Sequence, residues 1–199
     1  MNPLLESLLR QYSQEVEALT AALEAKRITP RRWRDRMAAL LARYHYAAIA
    51  AGMRQTAVPP EGVALLVRGV ANQYSYLNNF YTEVAAAEAF KAAWRARAQM
   101  YVQSAGASFH EGDVYRQAGR FLPLPAMPKD GTTQCITNCK CSWVITVLDK
   151  EAGDFDATWT LGIADHCQTC TERAKQWSPL RIRGGVLLEE RTKAGNPAG

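Results

Sequence analysis

No apolar run in the 199 residues approaches the ~20 needed to span a membrane. The N-terminus, Met1-Asn2-Pro3-Leu4-Leu5-Glu6, lacks a basic n-region and a compact apolar h-region. Neither a membrane span nor a signal peptide is expected, which points to an intracellular, reducing setting. Histidine is scarce, at three residues. The chain contains no H-E-x-x-H, no P-loop, no G-x-G-x-x-G and no G-x-S-x-G. Asp165-His166-Cys167 does not make the H-x-E and P-C-x-x-C pattern of zinc deaminases. Asp154 and Asp156 read as solvated turn residues rather than a paired catalytic site. No enzyme is expected, an uncharacterised zinc enzyme being the minor alternative.

The residues that are present are unevenly distributed. Residues 1–104 hold 13 Lys/Arg against 8 Asp/Glu, whereas residues 105–199 hold 11 of each, so the net charge of +5 belongs to the first part. Glycine splits the other way, 3 against 10, and all five cysteines lie in the second part. Hydrophobic residues make up 48% and charged residues 22%, an ordinary globular balance that argues against wholesale disorder. A chain of this length buries ~70% of its unfolded surface, so it needs no metal or disulfide merely to have a core.

Asn2-Pro3 reads as a helix cap followed by proline at the first helical position. Leu5, Leu9, Tyr12, Val16, Leu19 and Leu23 then recur every three or four residues, the stripe of an amphipathic helix running to about Lys26. Thr29-Pro30 repeats the cap, and Trp33, Met37, Leu40/Leu41, Tyr44 and Ala48 form a second stripe that Gly52 should close as a left-handed C-cap. An antiparallel helical hairpin is expected. Val58-Pro59-Pro60 starts further helix, either one long helix or two joined near Asn78-Asn79, with two favoured because paired asparagines are poor helix formers. A short helix is expected around Glu111 to Gln117. Leu122-Pro123-Leu124-Pro125-Ala126-Met127-Pro128 reads as an extended strap. Ser142 to Leu148 and Phe155 to Leu161 read as strands joined by the hairpin loop Asp149 to Asp154.

Cys135-x3-Cys139-x-Cys141 precedes the first expected strand and Cys167-x2-Cys170 follows the second. A hairpin brings the start of its first strand beside the end of its second, so the two groups should meet in space. That is the arrangement of a zinc ribbon, and soft thiolates suit a tetrahedral Zn²⁺. Four of Cys135, Cys139, Cys141, Cys167 and Cys170 would bind a structural ion, with His166 a possible substitute for one thiolate. Disulfides and unliganded or reactive thiols are the alternatives. Full pairing within the chain is impossible for five cysteines, and disulfides rarely persist in a reducing setting.

Lys26, Arg27, Arg31, Arg32, Arg34 and Arg36 crowd one helical junction around Trp33, with only Asp35 against them. Such a patch suits phosphates or an acidic protein surface, or is simply a solvated helix face. Lys91, Arg95 and Arg97 suggest a second basic face.

The order of parts then resembles a known group. A basic helical region, the run Arg97-Ala98-Gln99-Met100-Tyr101 and a proline-rich strap lead into Asp130-Gly131-Thr132-Thr133-Gln134-Cys135-Ile136-Thr137-Asn138-Cys139-Lys140-Cys141-Ser142-Trp143. With Cys167-Gln168-Thr169-Cys170 and Trp177-Ser178-Pro179-Leu180, this resembles the Mu F-like minor head proteins of phage and prophage head morphogenesis, over about residues 85–182. The chain is short for that group and its C-terminal Cys/His pattern is compact. The resemblance implies a minor, portal-associated virion protein that aids head assembly or DNA packaging and delivery, in a virion or in the cytoplasm of a bacterial host. It implies portal or other capsid proteins as partners, with DNA a further one. A free-standing zinc-containing nucleic-acid-binding module is the alternative.

The expected fold is α+β and mainly α. Residues 1–120 should form a basic helical region, 121–183 a strap and a zinc-ribbon-like cysteine region, and 184–199 a flexible tail.

Overall fold

The structure is a computed structural model and describes residues 3–163 and 165–188. The expected cap Asn2 and most of the expected tail fall outside them. Four long helices come first: α1 (Pro3–Glu24), α2 (Pro30–Met53), α3 (Pro60–Ala86) and α4 (Ala93–Ala118). A strap and a single 3-10 turn lead to β1 (Ser142–Asp149) and β2 (Asp154–Thr160), then α5 (Gln168–Gln176), β3 (Leu180–Arg183) and β4 (Val186–Leu187). The fold is α+β and mainly α.

The helical core follows the expected stripes. Leu5, Leu9, Tyr12, Val16, Leu19 and Leu23 of α1 are all buried, as are Trp33, Met37, Leu41, Tyr44 and Ala48 of α2. Thr29 caps α2, its side chain accepting from the Arg32 amide at 3.2 Å, with Pro30 at the first helical position. Tyr12 of α1 stacks on Tyr44 of α2 with ring centroids 4.3 Å apart. The Tyr44 hydroxyl donates to Glu15 at 2.6 Å, so the helical pair is joined by ring and carboxylate together.

Three expectations about the helices are corrected. Gly52 is not a C-cap: α2 runs on to Met53, and Arg54 takes the left-handed turn at φ 57°. Gly52 instead faces α4, where a Cβ would overlap the Phe109 carbonyl oxygen and lie 2.8 Å from the Asp113 amide nitrogen. Reciprocally, a Cβ on Gly112 would overlap the Ile49 carbonyl oxygen. Asn78-Asn79 does not break α3. Both side chains are exposed while Leu77 and Phe80 beside them are buried, and burying two such side chains, ~1.5–3 kcal/mol each, outweighs weak propensity. The break comes at Ala87, with φ −89° and ψ 139°, where Phe90 turns its ring edge onto Trp94. Glu111 to Gln117 is no separate helix but the end of α4, which Gly119 closes at φ 74°.

The sheet is antiparallel throughout, in the order β1-β2-β3-β4. Trp143 pairs with Trp159, Ile145 with Ala157 and Val147 with Phe155. Trp143, Phe155, Ala157, Trp159, Leu180 and Ile182 build a second core, which Val114 and Ala118 of α4 complete. α4 therefore serves both cores. The tail does not begin at 184. Gly184 and Gly185, at φ 58° and 76°, form the two-residue turn that pairs Arg183 with Val186. The free edge of β1 is occupied by Gln117, whose side-chain carbonyl accepts from the Ile145 amide at 2.9 Å and whose amide donates to the Trp143 carbonyl at 3.4 Å. These are groups that a further strand would use.

The backbone contact between α2 and α4 leaves no room for a methyl group. Gly52→Ala and Gly112→Ala should each cost ~1–3 kcal/mol or more, although alanine is the better helix former. A midpoint in thermal or urea unfolding equal to or above that of the wild type would contradict this.

Candidate metal centre

The cysteines are placed by the elements that flank the hairpin. Ser142 pairs with Thr160, so the segment before β1 and the segment after β2 leave the same end of the sheet. Gly162 presses on Lys140 so closely that a Cβ there would overlap the Lys140 carbonyl oxygen. Upstream, Asp130 organises the turn. Its carboxylate accepts from the amides of Met127 and Thr132, both at 2.8 Å. Cys135 then precedes the 3-10 turn Ile136–Asn138, Cys139 follows it, and Cys141 abuts β1. Cys167 is the residue before α5 and Cys170 lies in its first turn.

The two cysteine groups do come together. Cys170 Sγ lies 3.7 Å from Cys135 Sγ and 3.6 Å from Cys139 Sγ. The sulfurs form two triads, Cys135/Cys167/Cys170 and Cys139/Cys141/Cys170, each with all sulfurs within 4.8 Å of one another. Cys139, Cys141 and Cys170 are buried, whereas Cys135 and Cys167 are half-buried. All five are free thiols. The cluster can hold a metal ion: metal–sulfur bonds of ~2.3 Å set the edge of a tetrahedral thiolate shell at about 3.8 Å. His166 is half-buried and belongs to neither triad.

The thiols are unequal. Cys141 hydrogen-bonds to Cys139, pulling the Cys139 thiol down to about 5 and pushing its own far up. Burial raises Cys135 and Cys170. Burial also opposes ionisation of Cys167, but hydrogen bonds from the Cys170 and Cys135 backbone and thiols outweigh it and leave that thiol at about 7. Lys129, only 3% exposed, lies near enough for Cys139 and Cys135 to favour its charge, while burial lowers its pKa. Its stem runs against Gly106 of α4, where a Cβ would overlap Lys129 Cδ.

Tryptophans wall the cluster. Trp143 and Trp177 stack at 5.7 Å, and Trp159 meets Trp143 edge-on at 5.1 Å. The Arg173 guanidinium sits over Trp177 at 4.8 Å and Trp159 at 5.3 Å, and donates to the Thr132 hydroxyl at 3.0 Å. Trp143 Nε1 donates to the Ala126 carbonyl at 2.9 Å. Arg173 thus ties α5, and Trp143 ties β1, to the strap.

Among the described residues, most cations of the basic stretch make no ion pair. Lys26, Arg27, Arg31, Arg32 and Arg36 are exposed in the α1–α2 turn and the first turns of α2. Arg34 bonds to Asp35 at 2.5 Å and lies over the Tyr81 ring at 5.2 Å. Trp33 is fully buried. The expected second basic face is largely neutralised: Arg95 pairs with Glu17 and Glu24, and Arg97 with Glu83 at 2.6 Å.

A cleft of about 560 Å³ beside the cysteine cluster has no counterpart in the sequence motifs. It is lined by His45, Tyr76, Arg97, Ser104, Ser108 and Lys129 among others. His45 is 3% exposed, with Nδ1 2.8 Å from Ser108 Oγ and Nε2 3.2 Å from Ser104 Oγ. The Ser104 hydroxyl donates to the Tyr101 carbonyl at 2.7 Å, so it accepts from His45 Nε2 and leaves Nδ1 to accept from Ser108. No motif announces this group, because His45 falls between core positions of α2.

No protein-family model, no curated protein and no solved structure matches the chain. No described helix is long and apolar enough to cross a membrane.

Burial lowers the His45 pKa to about 4 from an ordinary 6.5. Between those values the unfolded chain binds a proton that the folded chain refuses. Stability is therefore full above pH 6.5 and falls as pH drops toward 4, by roughly 3 kcal/mol from this residue. His110, which burial also lowers to about 4, adds to the same window, so the slope of unfolding free energy should fall but not vanish in His45→Gln; an unchanged slope would assign the dependence elsewhere.

Proposed function

We propose that the chain is a minor structural protein of a phage or prophage head, associated with the portal vertex and without catalytic activity. In this reading a structural Zn²⁺ clamps its cysteine region. The observation that carries it is the convergence of Cys135, Cys139, Cys141, Cys167 and Cys170. The segments that bring the thiols together are those on which the resemblance to Mu F-like minor head proteins rests. A thiolate-only donor set, walled by tryptophans, suits an ion that holds segments together rather than one that activates water. The basic junction and the second core lie toward opposite ends of α4, whose 26 residues span about 39 Å. One end can meet a partner while the other keeps its shape.

Affinity purification of the full chain from an infected or prophage-carrying lysate, read by mass spectrometry, tests this. Portal or other capsid proteins should co-purify. Their absence, with only nuclease-sensitive nucleic acid recovered, would overturn it.

One observation favours a second reading, a zinc-containing nucleic-acid-binding module. Lys26, Arg27, Arg31, Arg32 and Arg36 are exposed beside the positive end of the α2 dipole. If these five meet phosphates, log affinity for duplex DNA should fall with log salt at a slope of up to about −4.5. Reversing charge at Arg31, Arg32 and Arg36 together should then remove most of the slope. Binding that survives would reject this surface as the contact.

A further inference from the structure

We propose that the five cysteines hold two thiophilic ions rather than one, with the Cys170 thiolate bridging them. The inference rests on the metal reading above and goes beyond it in stoichiometry and in the role of one residue. A single tetrahedral ion uses at most four thiolates and strands a fifth. The thiol positions favour a different division. Cys170 belongs to both triads, 3.7 Å from Cys135 on one side and 3.6 Å from Cys139 on the other. The sulfurs of each triad lie within 4.8 Å of one another, near the edge of about 3.8 Å that one face of a tetrahedral thiolate shell has. Two tetrahedra that share a corner at Cys170 use every cysteine.

The local chain explains the division. Cys139-x-Cys141 is too tight for the usual zinc knuckle, but it presents two thiols side by side to one inner ion. Cys167-x2-Cys170 has ordinary knuckle spacing, and Cys135 completes the outer set. A thiolate sulfur has lone pairs enough for two ions. Each ion keeps one vertex that no cysteine fills, which a backbone oxygen can take.

Charge points the same way. Five thiolates and two divalent ions leave one net negative charge, whereas four thiolates and one ion leave two. The bridged centre therefore buries less net charge than a mononuclear one.

Native mass spectrometry of the full chain, produced with Zn²⁺ under reducing conditions, reads the number directly. Wild type should carry two zinc ions. Cys141→Ser and Cys135→Ser each spare one triad and should carry one, while Cys170→Ser should lose both. One zinc in the wild type would overturn the bridged centre while leaving a mononuclear clamp intact. Two zincs of which neither is lost in Cys141→Ser or Cys135→Ser would overturn it as well, by locating the second ion elsewhere. No zinc at all would overturn the metal reading and this inference with it. The two single-triad variants keep the test decisive even if Cys170→Ser does not fold.

Discussion

Helices α2 and α4 touch backbone to backbone where Gly52 meets Phe109 and Gly112 meets Ile49, and the rest of the structure is hung from that crossing. Neither contact tolerates a side chain on the glycine, so the distance between the helices is set by main-chain atoms. Next to it His45 reaches across from α2 to Ser104 and Ser108 of α4, supplying polar partners in a buried seam. With α4 held in place, its continuation past Gly112 carries Val114 and Ala118 into the second core. The helical bundle and the sheet are coupled through one helix, and Gln117 on that helix occupies the free edge of β1.

The second core is small and relies on flat, wide side chains. Trp143, Trp159 and Trp177 pack against one another, and Arg173 lies over two of them while bonding to Thr132 in the strap. The five thiols are gathered beside this wall from segments with little regular structure of their own. A thiolate shell around an ion would supply directional bonds where apolar area is limited. Two chemically different regions result, a mostly buried cysteine cluster near the sheet and a group of exposed cations at the far end of the bundle. The assembly role proposed here uses both, the first to keep its shape and the second to meet a partner.

Much of the fold is legible in the sequence because burial follows periodicity. Every residue of the α1 stripe is buried, and Thr29-Pro30 starts α2 where capping chemistry says it should. The cysteine groups meet as their positions require, because antiparallel pairing leaves no freedom about which strand ends are neighbours. The departures share a cause. Asn78-Asn79 are poor helix formers, yet their side chains point outward while Leu77 and Phe80 hold the helix to the core. Gly52 has the composition of a terminator, yet its missing side chain serves a neighbour nearly 60 residues away along the chain. Gly184-Gly185 has the composition of a polar tail, although two adjacent glycines between Ile182-Arg183 and Val186-Leu187 are a hairpin signal in their own right.

The sequence by itself determined the helical stripes, the strand pair, the strap and the existence of a cysteine cluster, since each depends on local geometry or on the fixed period of an element. Tertiary structure alone decided that Cys170 lies between two groups of sulfurs, that Lys129 is buried beside them, that Arg95 and Arg97 are paired, and that α4 joins two cores. Those outcomes depend on distances between residues far apart in the chain. No local period or spacing encodes such a distance; it emerges only when helices and sheet settle against one another at the closest approach their side chains allow.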